Sequence, residues 1–439
     1  MSAAKVLCTL VVSLFCISTV AFASLPVSAA TPDDPGVIAY VQRSTTNIHV
    51  ISPDGTGDRL LWTAPASQYM PPAIDLAWRP DGRELAFTST HENACSWYDS
   101  DIFSIGYNGA GYRRITNSPA CAVLATLPQG AVTVNVNNYT SDLVWVYVAG
   151  APSVKSILGD GIVTFDKVAD FGSGVLQPSI GVWGLYRFVS YPPYADVQPG
   201  KTVPGGNITI MSLSGFQAFG AGKVSWKADG SALAYVLRSN SNIWEISANP
   251  AYGATGTALP FNEHTKPRLV AWGPTAAKQD EYLYVSDPNI LDEGYAGIWL
   301  GTRGDASGGK RLVSIDSDAT WVKDIEWLPD GSGFLFSLFY VGLGYFCNIF
   351  EYDFATGDAT RLTDFPPDGD YAHGLSISPD GRHVVFERVV DDLDSDSSLW
   401  IMNIESRDVW KLVDDAGRPA WGQAPAPLKP SAYLPMLVR

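Results

Sequence analysis

Apolar and polar positions fall into short runs separated by tight-turn residues. AWRPDGRELAF at 77–87 is an apolar stretch, a Pro-Asp-Gly turn and a second apolar stretch, and the pattern returns as SWKADGSALAY (225–235), EWLPDGSGFLF (326–336) and SISPDGRHVVF (376–386). Runs this short, rich in β-branched and aromatic residues and bounded by turn signals, predict strands rather than helices. In the turn, Pro sets φ, Asp tolerates the next position and bonds locally, and Gly accepts the left-handed conformation that closes a hairpin. After each hairpin a further strand opens on Asp or Asn: SDIFSI at Asp101, SNIWEI at Asn242 and CNIFEY at Asn348. A third turn and a fourth strand ending in Arg-Leu-Thr or similar complete the unit, as in DFATGDATRLTDF.

Four antiparallel strands per repeat predict the blade of a β-propeller. The residue just before the turn is an anchor, found at Trp78, Trp226, Trp272, Trp327, Ile377 and Trp421; the later spacings of 46, 55, 50 and 44 residues fit one blade each. At Trp272 a longer turn replaces the motif. The first unit, GVIAYVQRSTTNIHVISPDGTGDRLLWT, has no anchor, and its SPDG (Ser52 to Gly55) occupies the third turn. GRPAWGQ around Trp421 has an anchor and nothing after it. Pairing of this stretch with VIAYVQ near the N-terminus would build one blade from both chain ends and close a six-bladed ring, removing open sheet edges.

One spacing breaks the pattern: Trp78 to Trp226 is 148 residues. The excess holds AVTVNVNNYT, LVWVYVAG, GIVTFDKVAD and WGLYRFVSY, short alternating strands between Gly, Pro and Asp, which predict an immunoglobulin-like β-sandwich inserted at 121–206. Trp145, Trp183, Tyr186 and Phe188 in this insertion could form a sugar-stacking face, although core packing is the usual role of such residues and the favoured reading.

The repeated W-x-P-D-G-x-x-L-A-F unit, followed by D/N-I-F and R-x-L-T, resembles the WD40-like repeat of TolB-type six-bladed propellers. It also resembles the propeller half of prolyl-oligopeptidase-like peptidases. The resemblance covers roughly residues 37–117 and 207–423. It implies an all-β fold, a six-bladed propeller closed by N- and C-terminal strands, and leaves function open because propellers host binding and catalysis alike. In the peptidases the catalytic domain lies outside the propeller, and too few residues remain here to form one.

At the N-terminus, MSAAK, the apolar VLCTLVVSLFCISTVAFA and small-residue sites ending at Ala23 and Ala30 predict an export signal over 1–30. No lipid-attachment box surrounds Cys8 or Cys16, and no later stretch is long and apolar enough to span a membrane. The expected organisation is therefore signal 1–30, propeller 31–120, insertion 121–206, propeller with closing strand 207–423, then a Pro-rich linker and apolar tail at 424–439. The final YLPMLVR resembles the YLP-type tails of some secreted bacterial proteins; it is read either as a docked terminus or as a sorting tag. The expected location is secreted, periplasmic or cell-surface.

A formal charge of −16 excludes a nucleic-acid binder of the usual kind, which needs a basic surface. In an oxidising compartment Cys95 and Cys121 could form a disulfide, leaving Cys347 as a buried thiol. No G-x-S-x-G, phosphate loop, dinucleotide fingerprint, HExxH or zinc-spaced cluster occurs, and His49, His91, His264, His373 and His383 are scattered. No catalytic residue and no cofactor is predicted, with calcium the one metal worth testing. Asp392, Asp394 and Asp396 alternate like calcium-loop ligands, but Ser397 replaces the loop Gly and Asn403 the closing Glu, so a solvated loop is the competing reading.

Two residue sets are candidates for binding. Loops joining second and third strands carry Trp97, Tyr98, Tyr295, Tyr340 and Tyr345, of the types enriched at interfaces, although each could equally shield its own blade. Three or four residues before successive anchors stand Lys223, Arg268, Lys323, His373 and Arg418, which would form a basic ring at a channel mouth or simply neutralise nearby acids such as Asp324. The expectation is an exported, non-catalytic propeller binding a protein or cell-envelope partner through its loop face. The alternative is a polysaccharide-binding or polysaccharide-active propeller that uses channel-mouth carboxylates.

Overall fold

The structure is a computed structural model that describes residues 36–64, 73–91, 99–116, 126–139, 143–148, 150–151, 155–170, 180–183, 186–190, 195–213, 219–237, 241–251, 256–286, 294–315, 320–341, 345–366, 371–389 and 397–425. Apart from a 3-10 turn at Ala276–Lys278, the regular elements among these residues are strands. They are β1 (Val37–Gln42), β2 (Ile48–Ile51), β3 (Arg59–Trp62), β4 (Ala73–Trp78), β5 (Glu84–Ser89), β6 (Asp99–Gly106) and β7 (Arg113–Arg114). Next come β8 (Gln129–Asn138), β9 (Leu143–Val148), β10 (Lys155–Leu158), β11 (Gly161–Ala169), β12 (Ile180–Trp183), β13 (Tyr186–Ser190) and β14 (Thr202–Leu213). The repeat then resumes with β15 (Phe219–Trp226), β16 (Ala232–Leu237), β17 (Asn242–Ser247), β18 (Thr257–Ala258), β19 (Pro267–Trp272), β20 (Glu281–Ser286), β21 (Gly297–Thr302) and β22 (Lys310–Ser314). The last are β23 (Thr320–Trp327), β24 (Gly333–Val341), β25 (Tyr345–Asp353), β26 (Ala359–Arg361), β27 (Tyr371–Ile377), β28 (His383–Val389), β29 (Ser397–Asn403), β30 (Val409–Asp414) and β31 (Ala416–Gly422).

Outside β8–β14 these strands form repeated four-stranded antiparallel units, β4–β7, β15–β18, β19–β22, β23–β26 and β27–β30, each wound in sequence order, the first two being joined by a short parallel pairing of β15 with β6, Phe219 opposite Asp99. A further sheet has the order β3-β2-β1-β31, so the strand around Trp421 pairs with the N-terminal strand, Ile38 opposite Trp421 and Val37 opposite Gly422. The first strands β4, β15, β19, β23, β27 and β31 each lie beside the next, and β31 lies beside β4.

The hairpin motif has the predicted chemistry. Gly82, Gly230, Gly331 and Gly381 all have φ between 69° and 75°, a region open mainly to glycine, and each amide closes the turn onto the residue three before it. The turn Asp caps the backbone two residues on, at 2.9 Å for both Asp229 to Ser231 and Asp330 to Ser332. The anchor indoles join neighbouring sheets: Trp226 donates to the carbonyl of Ala77, and Trp327 to that of Ala271, both at 3.0 Å. Between sheets the apolar faces interlock, as where Trp226 and Leu233 pack with Ala86 and Ile102.

The Asn-Ile-Phe and Arg-Leu-Thr signatures meet in space. Thr363 Oγ1 donates to Asn348 Oδ1 at 2.9 Å and accepts from the Ile349 amide at 2.9 Å, and the Phe365 amide reaches the same Asn348 oxygen at 2.8 Å. Asp101 and Thr116 repeat the arrangement in β4–β7 at 2.7 Å. The motif therefore ties the third strand to the end of the fourth. Thr363→Ala is expected to cost about 1–3 kcal/mol, because it leaves buried polar groups unpaired, and Thr363→Ser should recover most of that in urea denaturation.

Between β7 and β15, two further sheets, β10-β9-β12 and β11-β8-β14-β13, share one core that includes Val134, Val146, Phe165 and Ile208. Here β14 runs parallel to β8. Cys347 is fully buried, and burial pushes its thiol pKa up to about 12.

Candidate functional site

All six first strands are irregular at one level. Register shifts fall at 73/76 in β4, 221/224 in β15, 267/269 in β19, 322/324 in β23 and 373/376 in β27, and where β31 passes Ala39/Val41 of β1. A bulge releases side chains from the pleat. The residues at or beside these six irregular steps are Asp75, Lys223, Arg268, Lys323, His373 and Arg418. The five basic positions predicted from sequence thus share one level, and β4 supplies an acid to it.

The charges there are extensively engaged. Lys223 Nζ pairs with Asp324, donates to the Ile325 carbonyl at 2.6 Å and approaches Glu326 at 3.2 Å. Burial alone would lower the Lys223 pKa, but these two carboxylates outweigh it and hold the value well above normal. Asp324 also accepts from the Leu375 amide at 2.7 Å, bridging β23 to β27. Arg268 donates to the Val322 carbonyl, and Lys323 Nζ stands 4.4 Å above the Phe339 ring.

The second cluster centres on Glu387, fully buried in β28. Its carboxylate pairs with Arg43 and accepts from Ser397 Oγ at 2.6 Å and the Arg418 amide at 3.0 Å. His373 Nδ1 lies 3.7 Å from it, and the Arg418 guanidinium reaches Asp75 at 3.7 Å. Burial opposes ionisation of Glu387, but facing His373, Arg43 and Arg418, with the Ser397 bond, bring its pKa down to about 2. Burial first, then the Arg418, Arg43 and Lys323 charges, lower His373 to about 4 against the pull of Glu387. His373 is therefore neutral at pH 7. Glu387 and Arg43 were not singled out from sequence; the available signal was a lone acid in the apolar run HVVFERVV.

Of the predicted aromatic set, Tyr295, Tyr340 and the backbone of Tyr345 lie at the same end of the sheets. Tyr340 is opposite Thr320 at the start of β23, and Val341 is opposite Tyr345. Tyr340 stacks on Phe346 with centroids 4.9 Å apart. Tyr295 precedes β21 and stacks on His264 at 4.8 Å. Both are half-buried. Trp97, Tyr98, Cys95, Cys121, Asp392, Asp394 and Asp396 lie outside the described residues, as do the export signal, the C-terminal tail and the side chains of Tyr345, Trp145, Trp183, Tyr186 and Phe188. Among the described residues no group of three acidic, His or Cys side chains is placed to hold a metal. No described helix is long and apolar enough to cross a membrane.

No protein-family model and no curated protein matches the chain. Solved structures do. TolB from Acinetobacter baumannii superposes with a TM-score of 0.50 at 16% identity, over 90% of this chain and 68% of that one. A chain of the nidogen/laminin complex gives 0.46 at 9% identity, over 89% and 99%. A putative 6-phosphogluconolactonase from Bacteroides fragilis gives 0.41 at 11%, over 89% and 98%. With its repeated four-stranded sheets, the chain has a β-propeller fold similar to that of TolB.

Proposed function

We propose that this chain is an exported, non-catalytic six-bladed propeller that binds a protein or cell-envelope partner through the loop end of its blades. In this reading β31 with β1–β3 is the blade that closes the ring, and β8–β14 form an inserted immunoglobulin-like sandwich. The carrying observation is that the six bulges and the tyrosines of the second-to-third-strand loops converge on one end of the sheets. At or near that level Lys223 is paired with Asp324 and Glu387 with Arg43, which supports a rigid presenting surface: little ordering entropy is lost when such a surface docks. Propeller, closing strand, export and an envelope or extracellular location form one coherent reading.

The test is affinity capture from native envelope and medium with the purified protein and a Tyr295→Ala/Tyr340→Ala/Tyr345→Ala variant. A partner retained by the wild type and weakened about 10- to 100-fold by the variant is expected, given typical losses for interface tyrosines. Equal retention by both proteins overturns the loop-end assignment. Binding to a glycan array in place of any protein would replace the reading with the polysaccharide alternative.

A further inference from the structure

Three of the six large apolar side chains exposed among the described residues crowd one corner of the β8–β14 unit: Tyr139 is 71% exposed, Leu158 67% and Ile162 69%. Leu158 and Ile162 flank the turn between β10 and β11. Asp160 in that turn accepts from the Asn138 amide at 2.7 Å, holding the turn against the end of β8 beside Tyr139. Both strands are terminal, β10 in its three-stranded sheet and β11 in its four-stranded sheet. Among the described residues β11 pairs with β8 alone, so its other edge presents N–H and C=O groups without a strand partner.

Edges of this kind are usually blunted by charge, proline or a bulge. The far half of β11 is blunted: pairing shifts between Phe165 and Val168, and Lys167 has φ 59°. The near half, Gly161-Ile-Val-Thr-Phe165, carries no charge and is rich in strand-forming residues. Of the other outermost strands among the described residues, β3, β7, β10, β13, β22, β26 and β30 each carry Lys or Arg, while β12 and β18 are uncharged but only four and two residues long.

We propose that the Gly161–Phe165 edge is a docking site for an extended segment of a partner protein, which adds to the sheet as a further strand beside β11. The backbone chemistry selects this occupant. A lipid surface would cover Leu158 and Ile162 but leave the edge amides unsatisfied in an apolar medium, and a second copy brings another chain of charge −16. A peptide strand satisfies the edge and lays alternate side chains on each face of the sheet. One set lies along exposed Ile162 and Thr164; the other faces the half-buried Ile157 between the sheets. The segment therefore has apolar residues at alternate positions. This site is separate from the loop end and does not rest on that assignment.

The probe is a displayed library of random peptides about eight residues long, enough to span the edge, selected on the purified protein and followed by synthesis of the enriched peptides. Expected are slowed hydrogen exchange at 161–165 on peptide addition and an affinity loss of about tenfold or more in Ile162→Lys. Val409→Lys, at an exposed apolar position on β30, should leave binding unchanged. An N-methyl scan of the peptide should alternate, every second position being intolerant. Enriched peptides without that alternation, protection elsewhere, or no enrichment overturn the proposal. So does vesicle binding or dimerisation that Ile162→Lys abolishes in the absence of peptide.

Discussion

Truncation after Asp415 is expected to abolish cooperative folding, whereas truncation after Pro425 is the matched control that keeps β31 whole. Removing β31 strips β1 of a partner along its length, from Val37 opposite Gly422 to Gln42 opposite Ala416. It also deletes Trp421, which packs with Ile38, Tyr40 and Ile401, and Ala420, which packs with Trp78 and Leu85. The strand lies beside both β27 and β4, so its loss opens two packed faces and a sheet edge together. The buried Ala416, Ala420 and Trp421 side chains and a ladder of five paired positions exceed about 5 kcal/mol, comparable with the whole stability of an ordinary domain. Calorimetry should show a single sharp transition for the control and a broad or absent one for the deletion. A finer probe is Gly422→Ala: a Cβ there would stand 2.5 Å from the Trp78 ring, so closure should weaken without loss of the strand. A cooperative transition in the Asp415 truncation would show that the ladder to β1 is dispensable.

What could be read from the chain divides by distance along it. The turns are local chemistry, so Pro379-Asp380-Gly381 predicts its own geometry, and Trp226 or Trp327 marks the end of a first strand whatever lies beside it. The β1–β31 pairing was legible through an imbalance, an anchor without a blade and a blade without an anchor. Glu387 was not legible. In HVVFERVV it has the spacing of a strand residue facing solvent, and its partner Arg43 is 344 positions away. The spacing of three or four residues between charged position and anchor is visible in sequence, but the bulge that each first strand carries there appears only with the register. Pro204-Gly205-Gly206, at the end of the expected insertion, is an irregular step within β14, where pairing with β8 resumes at Asn207.

Glu387→Gln is expected to lower stability at pH 7 by up to about 3 kcal/mol, the worth of a carboxyl pKa held near 2 in the fold against an ordinary 4.5, less the part due to His373, which is uncharged at that pH. The substitution keeps shape and one acceptor, so the loss isolates charge: the Arg43 guanidinium and the Arg418 chain would face a neutral amide in a place from which water is largely removed. Arg43 is 19% exposed and can recover part of its hydration, which keeps the cost at the lower end of the range for breaking a buried pair. The pH dependence has a definite sign. Because the folded pKa lies below the unfolded one, the stabilisation is complete above about pH 4.5 and is lost as pH falls through about 2. The gap between wild type and variant should therefore be constant from pH 8 to 5 and close between roughly 4.5 and 2. Urea denaturation of both proteins at a series of pH values reads this directly. A gap that does not close in acid would mean that Glu387 acts through shape and hydrogen bonding, and that the ion pairs joining β28, β31 and the end of β1 contribute little to holding the bulged strands in place.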